Sequence, residues 1–504
     1  MSVLADLYRP SLSLLTDFYQ VTMAYGYWKA GIADHEAVFH LFFRHNPFGG
    51  GYAIAAGLTY AIDYLKQFRF DEEDVAYLAT LRGDDGERMF DEGFLGYLRS
   101  LRFTCDVDAV EEGTVVFPHE PLLRVRGPII GCQLIETPLL NMINFQTLIA
   151  TKAARICYAT RGEPVLEFGL RRAQGIDGGI AASRAAYVGG CAATSNVLAG
   201  KLFDIPVRGT HAHSWVMAFD TEAEALEAYA DAMPNNCVFL VDTFDTLEGV
   251  RRAAAVGRKL RERGYEMTGI RLDSGDLAYL SIEARKILEE GGFPKVAIVG
   301  SNDLDEHLIE SLKQQGATIG VWGVGTRLAT AYDQPAIGGV YKLALIRRPG
   351  EAWQYKIKLS EQAIKITTPG ILQVRRYTGD DAFVADAIYD ENRGIEDGCT
   401  IIDPADMTRR KHLLPDAAYT DLLVPVFRGG RLAYEKPSVH AAQARARDQL
   451  SRFHAGIKRF ENPHQYPVGL EKGLHDLKTK LVLEARRLVQ RGSATSDEGD
   501  QRRL

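Results

Sequence analysis

Six short apolar runs recur between residues 165 and 322, and they constrain this chain more than any other feature. They occupy 165–169, 206–210, 238–242, 269–272, 296–300 and 318–322, and most end on a glycine, a carboxylate or a hydroxyl. Helix-periodic segments at 222–232, 247–263, 278–290 and 304–315 fill the gaps. Starts that recur roughly every 25–40 residues have the spacing of βα units, which build one parallel sheet with helices on its faces. No Gly-x-Gly-x-x-Gly follows the first run, which counts against a dinucleotide fold. The spacing therefore predicts an α/β protein, with an irregular parallel α/β barrel favoured over an open doubly wound sheet.

The flanks read differently. Residues 11–30 form an amphipathic helix, with Thr16 or Asp17 as cap and Tyr19, Met23 and Tyr27 at fourfold spacing. A half-buried strand follows at 36–43, then an Asn46-Pro-Phe-Gly-Gly-Gly51 turn, helices over 52–103 and short strands over 106–126. A long helix covers 132–161. Strand-like segments return at 355–364, 372–377 and 383–388, and 437–489 is helical and charged. The expected division is an α+β domain at 1–130, the barrel with the active site at 131–345, and a C-terminal segment at 346–490. That segment completes or caps the N-terminal domain. The last stretch, 491–504, has no apolar anchor and reads as a disordered tail.

A net charge of −7 argues against a nucleic-acid-binding surface, while leaving room for a local basic pocket. Six cysteines are scattered without a Cys-x-x-Cys pair, which suits a reducing cytoplasm. The first residues lack the pattern of a signal peptide, and no apolar run reaches the roughly 18 residues of a membrane helix.

The candidate chemistry lies at the ends of the runs, where parallel α/β folds assemble their sites. Pro206-Val-Arg-Gly-Thr-His-Ala-His-Ser214 delivers Thr210, His211, His213 and Ser214 together. In an extended backbone the two imidazoles share a face, open to metal ligation, acid–base work, covalent transfer or a structural role. Arg271-Leu-Asp-Ser-Gly-Asp276 places Asp273 and Asp276 around a glycine turn, suited to Mg²⁺ or, equally, to a helix cap. Gly300-Ser-Asn-Asp303 and Gly323-Val-Gly-Thr326 let backbone amides approach a phosphate. Phe168-Gly-Leu-Arg-Arg172 offers a ring face with two guanidiniums, fitting a planar anionic ring beside a phosphate. Val241-Asp-Thr-Phe-Asp245 adds two carboxylates, one of them suited to orienting a histidine.

These stretches, with Leu14-Leu-Thr-Asp-Phe-Tyr-Gln20, Thr194-Ser-Asn-Val-Leu-Ala-Gly200 and Gly338-Gly-Val-Tyr-Lys-Leu343, resemble nicotinate phosphoribosyltransferase, of the type II phosphoribosyltransferase family. The resemblance implies transfer of phosphoribose from 5-phosphoribosyl 1-pyrophosphate (PRPP) to nicotinate, with Mg²⁺ and coupled ATP hydrolysis. It also implies a homodimer with shared active sites. Carried over by motif, His213 is the histidine phosphorylated by ATP, and Asp242 orients it. Phe168 and Tyr19, the latter from the second subunit, sandwich the pyridine ring, while Thr210 and Arg271 contact nicotinate. Arg171, Gly300, Ser301, Gly325 and Thr326 hold the phosphoribosyl group, and Asp273 meets the ribose hydroxyls.

Three rival readings stand beside this one. His211-x-His213 also opens metal-dependent hydrolase sites, but between Ser214 and Lys411 the one remaining histidine is His307, in a helical pattern. A binding scaffold without activity would not need Arg171, His213, Asp242, Arg271 and Asp273 together. A nicotinamide-specific transferase would need an acceptor for the amide NH₂, and Ala192-Ala-Thr-Ser-Asn196 supplies no carboxylate.

Overall fold

A computed structural model describes residues 11–362, 365–395 and 398–500, with side chains to Leu488. The protein is a mixed α/β structure in which a parallel sheet stands beside a separate, sheet-rich part. The parallel sheet has the order Ala193–Thr194, Val165–Glu167, Val321–Val324, Ala297–Ser301, Gly269–Leu272, Val238–Leu240, and every neighbouring pair is parallel. Its strands are short and buried on both faces, with Phe239, Ile270, Ile298 and Val324 among fully enclosed residues. Two-sided burial is why they read as apolar runs rather than alternating ones. Each such side chain contributes about 1.5–3 kcal/mol by leaving water.

The expected strand at 206–210 is reduced to a single bridge. Val207 pairs in parallel with Thr194, and four residues later the His211 ring accepts a hydrogen bond from the Leu240 amide (3.1 Å). One irregular segment thus touches both outer strands of the sheet. Its irregularity has local causes: Pro206 has no N–H to donate, and Asp204 takes a left-handed conformation (φ 58°). Val197–Phe203 is a helix capped by the Asn196 side chain, with Leu202 exposed.

Two larger antiparallel sheets, and a two-stranded one pairing Ala53–Ile54 with Val115–Val116, hold the other strands. The first has seven strands, with Glu36–Phe42, Leu123–Pro128 and Asp106–Val110 at its centre. Val340–Arg347 and Gln354–Tyr355 extend one side, Leu423–Arg428 and Arg431–Leu432 the other. The strand expected to be half-buried, Glu36–Phe42, is enclosed at five of its seven positions. Its polar His40 is buried too, accepting a hydrogen bond from the Leu372 amide (3.2 Å). The second antiparallel sheet runs Arg410–Leu413, Cys399–Ile402, Val468–Glu471, Ala382–Asp390, Leu372–Gly379, Ala418–Asp421, with one parallel pair between the third and fourth. Of the 355–364 strand reading, only Gln354–Tyr355 is strand, and 363–364 lie outside the described residues. The last helix is Lys472–Asp500; the 491–504 reading falls on its final turns and, from 501, outside the described residues. Among the described residues no helix is long and apolar enough to cross a membrane.

Candidate active site

Carboxylates at the tips of the parallel strands divide into two groups. Asp245 caps the helix Thr246–Glu262 by accepting from the Glu248 amide (2.8 Å), and Asp276 caps Leu277–Glu290 by accepting from the Tyr279 amide (3.0 Å). Asp276 is exposed, and its Oδ1 serves that cap, the structural role the motif equally allowed. Asp242 and Asp273, two residues and one residue past their strands, turn inward instead.

Arg271 is the hub of the inward cluster. Its Nε donates to the Ser301 hydroxyl (2.8 Å), Nη1 to the Thr210 hydroxyl (3.1 Å) and Nη2 to Asp273 Oδ1 (2.6 Å). Ser301 donates to the same Asp273 oxygen (2.5 Å), and the guanidinium carbon lies 5.7 Å from the centre of the Phe168 ring. Burial alone would raise the Asp273 carboxyl. The Ser301 hydroxyl, Arg271 and His213 outweigh that and hold it below the usual carboxylate range. The Phe168 ring lies across the backbone of Gly323, where a Cβ would come within 2.8 Å of it. Any larger residue there would displace the ring.

Asp242 was expected to orient His213, but it does not. Its Oδ2 accepts from the Asp273 amide (2.8 Å) and the Ser274 hydroxyl (2.7 Å), and its buried Oδ1 has no hydrogen-bond partner. The His213 ring is instead held by Thr243, whose hydroxyl lies 3.1 Å from Nδ1, while Nε2 faces Asp273 Oδ2 at 3.8 Å. Neither Thr243 nor Ser274 stands out in the sequence. The available signal was a hydroxyl directly following an aspartate at two neighbouring strand tips.

The two histidines do not share a face. His211 is buried with Nε2 accepting from Leu240 and its ring against Tyr229 (4.7 Å between centroids), whereas His213 opens the short helix His213–Val216 and is partly exposed. Committing His211 Nε2 to a backbone amide removes it as a partner for His213 in a metal site. Among the described residues, no group of three or more His, Cys, Asp or Glu side chains is placed to hold a metal ion.

Burial lowers the His211 pKa to about 4 and, with Arg124, that of His40 to about 3. Both rings fold neutral, as acceptors, yet an unfolded histidine takes up a proton near pH 6.5. Stability is therefore complete above about pH 6.5 and falls as the pH drops toward those lowered values. The loss reaches about 1.4 kcal/mol per pH unit for each ring, or about 4 kcal/mol for both between pH 6.5 and 5. Urea unfolding followed between pH 7 and 5 reads this directly, and a flat free energy across that interval would contradict it.

The remaining candidates are placed as follows. Gly300 lies within its strand, and the position of its absent side chain is filled by Ile319. Gly325 and Thr326 begin a four-residue helix beside the Phe168 backbone. Asn302, just beyond Ser301, has φ 118°, a strained conformation of the kind that gathers at functional sites. Arg171 sits with exposed Arg172 in the turn Leu170–Arg172, and neither forms an ion pair among the described residues. Tyr19 is 48% exposed and lines a separate cavity of about 540 Å³ with Asp17, Asn141, Asn144, Gln174 and Asp177. Phe168 does not line that cavity, so Tyr19 and Phe168 do not enclose a common space within one chain.

Residues 14–144, 165–352 and 373–478 match families described as nicotinate phosphoribosyltransferase N-terminal domain, nicotinate phosphoribosyltransferase family and nicotinate phosphoribosyltransferase C-terminal domain. The chain is 45% identical over 485 residues to nicotinate phosphoribosyltransferase of Bacillus subtilis (strain 168), covering 95% of this chain and 97% of that protein. It is 36% identical over 539 residues to that of Homo sapiens, covering 93% and 96%. The crystal structure of human nicotinic acid phosphoribosyltransferase superposes with a TM-score of 0.81 at 34% identity, covering 92% of this chain and 99% of that one. In fold alone, the chain also matches nicotinate-nucleotide pyrophosphorylase from Pyrococcus furiosus, with a TM-score of 0.67 at 20% identity, covering 87% and 95%.

Proposed function

The chain belongs to the nicotinate phosphoribosyltransferase family, and on that premise we propose that it transfers phosphoribose from PRPP to nicotinate, releasing pyrophosphate. The observation that carries this reading is the Arg271 cluster. Arg271 has five N–H donors and spends three on Ser301, Thr210 and Asp273, which leaves one on each Nη. Those two suit the carboxylate of a planar ring resting on Phe168. A nicotinamide pocket would instead present a free carboxylate to the amide. The buried candidate beside Ala193 and Thr194 is Glu167, already accepting from Thr194 Oγ1 (2.6 Å) and the Gly169 amide (2.5 Å).

The chemistry asks for positioning more than for a protein nucleophile. The pyridine nitrogen attacks the ribose C1 as the bond to pyrophosphate breaks, and positive charge builds on the sugar. Asp273, kept ionised by Arg271 and Ser301, supplies the opposing charge. Arg171 and the amides near Ser301, Gly325 and Thr326 would receive the phosphates. Magnesium would neutralise the departing pyrophosphate. The buried Asp242 Oδ1, which has no hydrogen-bond partner, and Asp273 Oδ2, which faces the His213 ring at 3.8 Å, fit a hard cation whose other ligands are phosphates and water.

ATP coupling belongs to the same reading. With Nδ1 held at Thr243, the free Nε2 lone pair of His213 would attack the γ-phosphorus, and the bond to the ADP oxygen would break. We further read the parallel sheet as an irregular barrel closed by residues 206–211, and the active unit as a homodimer in which Tyr19 of a second copy covers Phe168. Six free thiols, including Cys105 and Cys132 only 3.7 Å apart, support a reducing cytoplasm.

Nicotinate, nicotinamide and quinolinate, offered separately with PRPP, test the substrate. Product is expected with nicotinate, and Arg271→Ala should lower its kcat/KM at least roughly 10-fold, the loss for a single charge-assisted contact, because it also releases Ser301, Thr210 and Asp273. Equal or greater turnover per KM on nicotinamide would overturn the assignment.

A further inference from the structure

We propose that the cleft between the two antiparallel sheets is a second anion site, taking a small molecule that carries two or more phosphate charges. The cavity measures about 1030 Å³, at the upper end of the size range of small-molecule sites, and shares no lining residue with the Arg271 cluster. Its walls are the 44–51 loop, the 117–119 turn, the start of the Arg410–Leu413 strand and the 462–467 loop.

Charge is the first argument. Arg44, Arg409, Arg410 and Lys411 line the cavity, against a single lining carboxylate, Asp403. Asp403 Oδ1 is already used by the amides of Ala405 (2.7 Å) and Asp406 (3.2 Å). Among the described residues, Arg410 and Lys411 find only carbonyl partners, Met407 O at 3.1 Å and Val384 O at 2.7 Å. The buried Arg44 Nε and Asn46 Oδ1 have no hydrogen-bond partner. Arg409 pairs with Asp406 at 3.5 Å, so a protein with net charge −7 gathers cations here and leaves Arg44, Arg410 and Lys411 without a carboxylate partner among the described residues. Burial, joined by Lys478, Arg44 and His45, pushes His119 on the same wall down to about 4.

Construction is the second argument. Three non-glycine residues around this cleft hold left-handed backbones: Phe48 (φ 59°), His119 (φ 71°) and Asn462 (φ 45°). Such conformations persist where their surroundings over-determine them. Behind one wall, Phe117 and Tyr466 stack at 4.5 Å, both buried, and hold that wall in place.

The test is calorimetric titration of the full chain with inorganic tripolyphosphate at about 0.15 M salt, where loosely held surface ions are screened. Two binding events per chain are expected. Arg410→Ala/Lys411→Ala should weaken one of them at least ~10-fold, as loss of charge-assisted contacts requires. In that variant, basal kcat and KM for nicotinate should not change. The charge-preserving pair Arg410→Lys/Lys411→Arg should bind like the parent, which separates loss of charge from damage to the strand. His213→Asn should keep the event that the double alanine variant loses. Equal affinity in the alanine variant, or equal loss in the charge-preserving pair, would each overturn the proposal. Because the readout is heat of binding, it stands or falls independently of the transferase reading.

Discussion

Asp273→Asn lowers kcat/KM for phosphoribosyl transfer by about 10²–10³-fold, the scale seen when one preorganised partner of transition-state charge is removed. Asparagine keeps the shape and can still accept from the Ser301 hydroxyl at the position now 2.5 Å away. What disappears is the negative charge that Arg271 holds ionised at 2.6 Å and that would face the positive charge building on the sugar. The loss should therefore fall mainly on kcat. Asp276→Ala is the control from the same motif. It removes only the cap on Leu277–Glu290, costing about 1 kcal/mol of stability with kcat intact. Steady-state kinetics and urea unfolding on the two variants separate charge from capping, and equal kinetic losses would refute the division.

His213→Asn abolishes ATP hydrolysis altogether and leaves slow, ATP-independent nucleotide synthesis, since the ring-to-sugar step does not pass through the imidazole. Thr243→Val should lower phosphorylation while Thr243→Ser restores it, because only a hydroxyl can hold the ring at Nδ1. His211→Asn should spare phosphorylation, its ring being a buried acceptor for Leu240. Chains incubated with γ-labelled ATP should carry an acid-labile phosphate that is absent in His213→Asn. Label that persists in this variant would move the carrier elsewhere. Mixing His213→Asn with Tyr19→Ala chains should also restore some activity, since one hybrid site is intact. Proven subunit exchange without recovery would argue against a shared site.

Much of the parallel sheet was legible because strands enclosed on both faces leave continuous apolar runs, and because helices between them announce themselves by capping aspartates. The sequence was mute where the answer depended on which way a side chain turned. Asp273 and Asp276 differ by three positions and look alike as residues, yet one faces Arg271 and the other its own helix. His211 and His213 differ in the same way: a neighbouring strand's amide captures the first, and the second opens a helix. The 206–210 segment looked like a strand because its apolar content was right. Pro206 and the left-handed Asp204 reduce it to one bridge. Thr243 was invisible as a ring holder because a hydroxyl announces nothing until the histidine that uses it is in place.

The first antiparallel sheet carries a further consequence, in the time domain of synthesis. Asp106–Val110 pairs with Leu423–Arg428, so that flank of the strand stays open until roughly three hundred more residues have left the ribosome. At about 5–20 residues per second, the wait is on the order of 15–60 seconds. Throughout it, the nascent chain displays an uncapped row of amides and carbonyls, the template on which unrelated strands add. The opposite flank waits for Val340–Arg347 before Glu36–Phe42 is sealed. This chain therefore cannot mature domain by domain as it emerges, and a transcript truncated before residue 423 encodes an aggregation-prone protein, however intact its catalytic half.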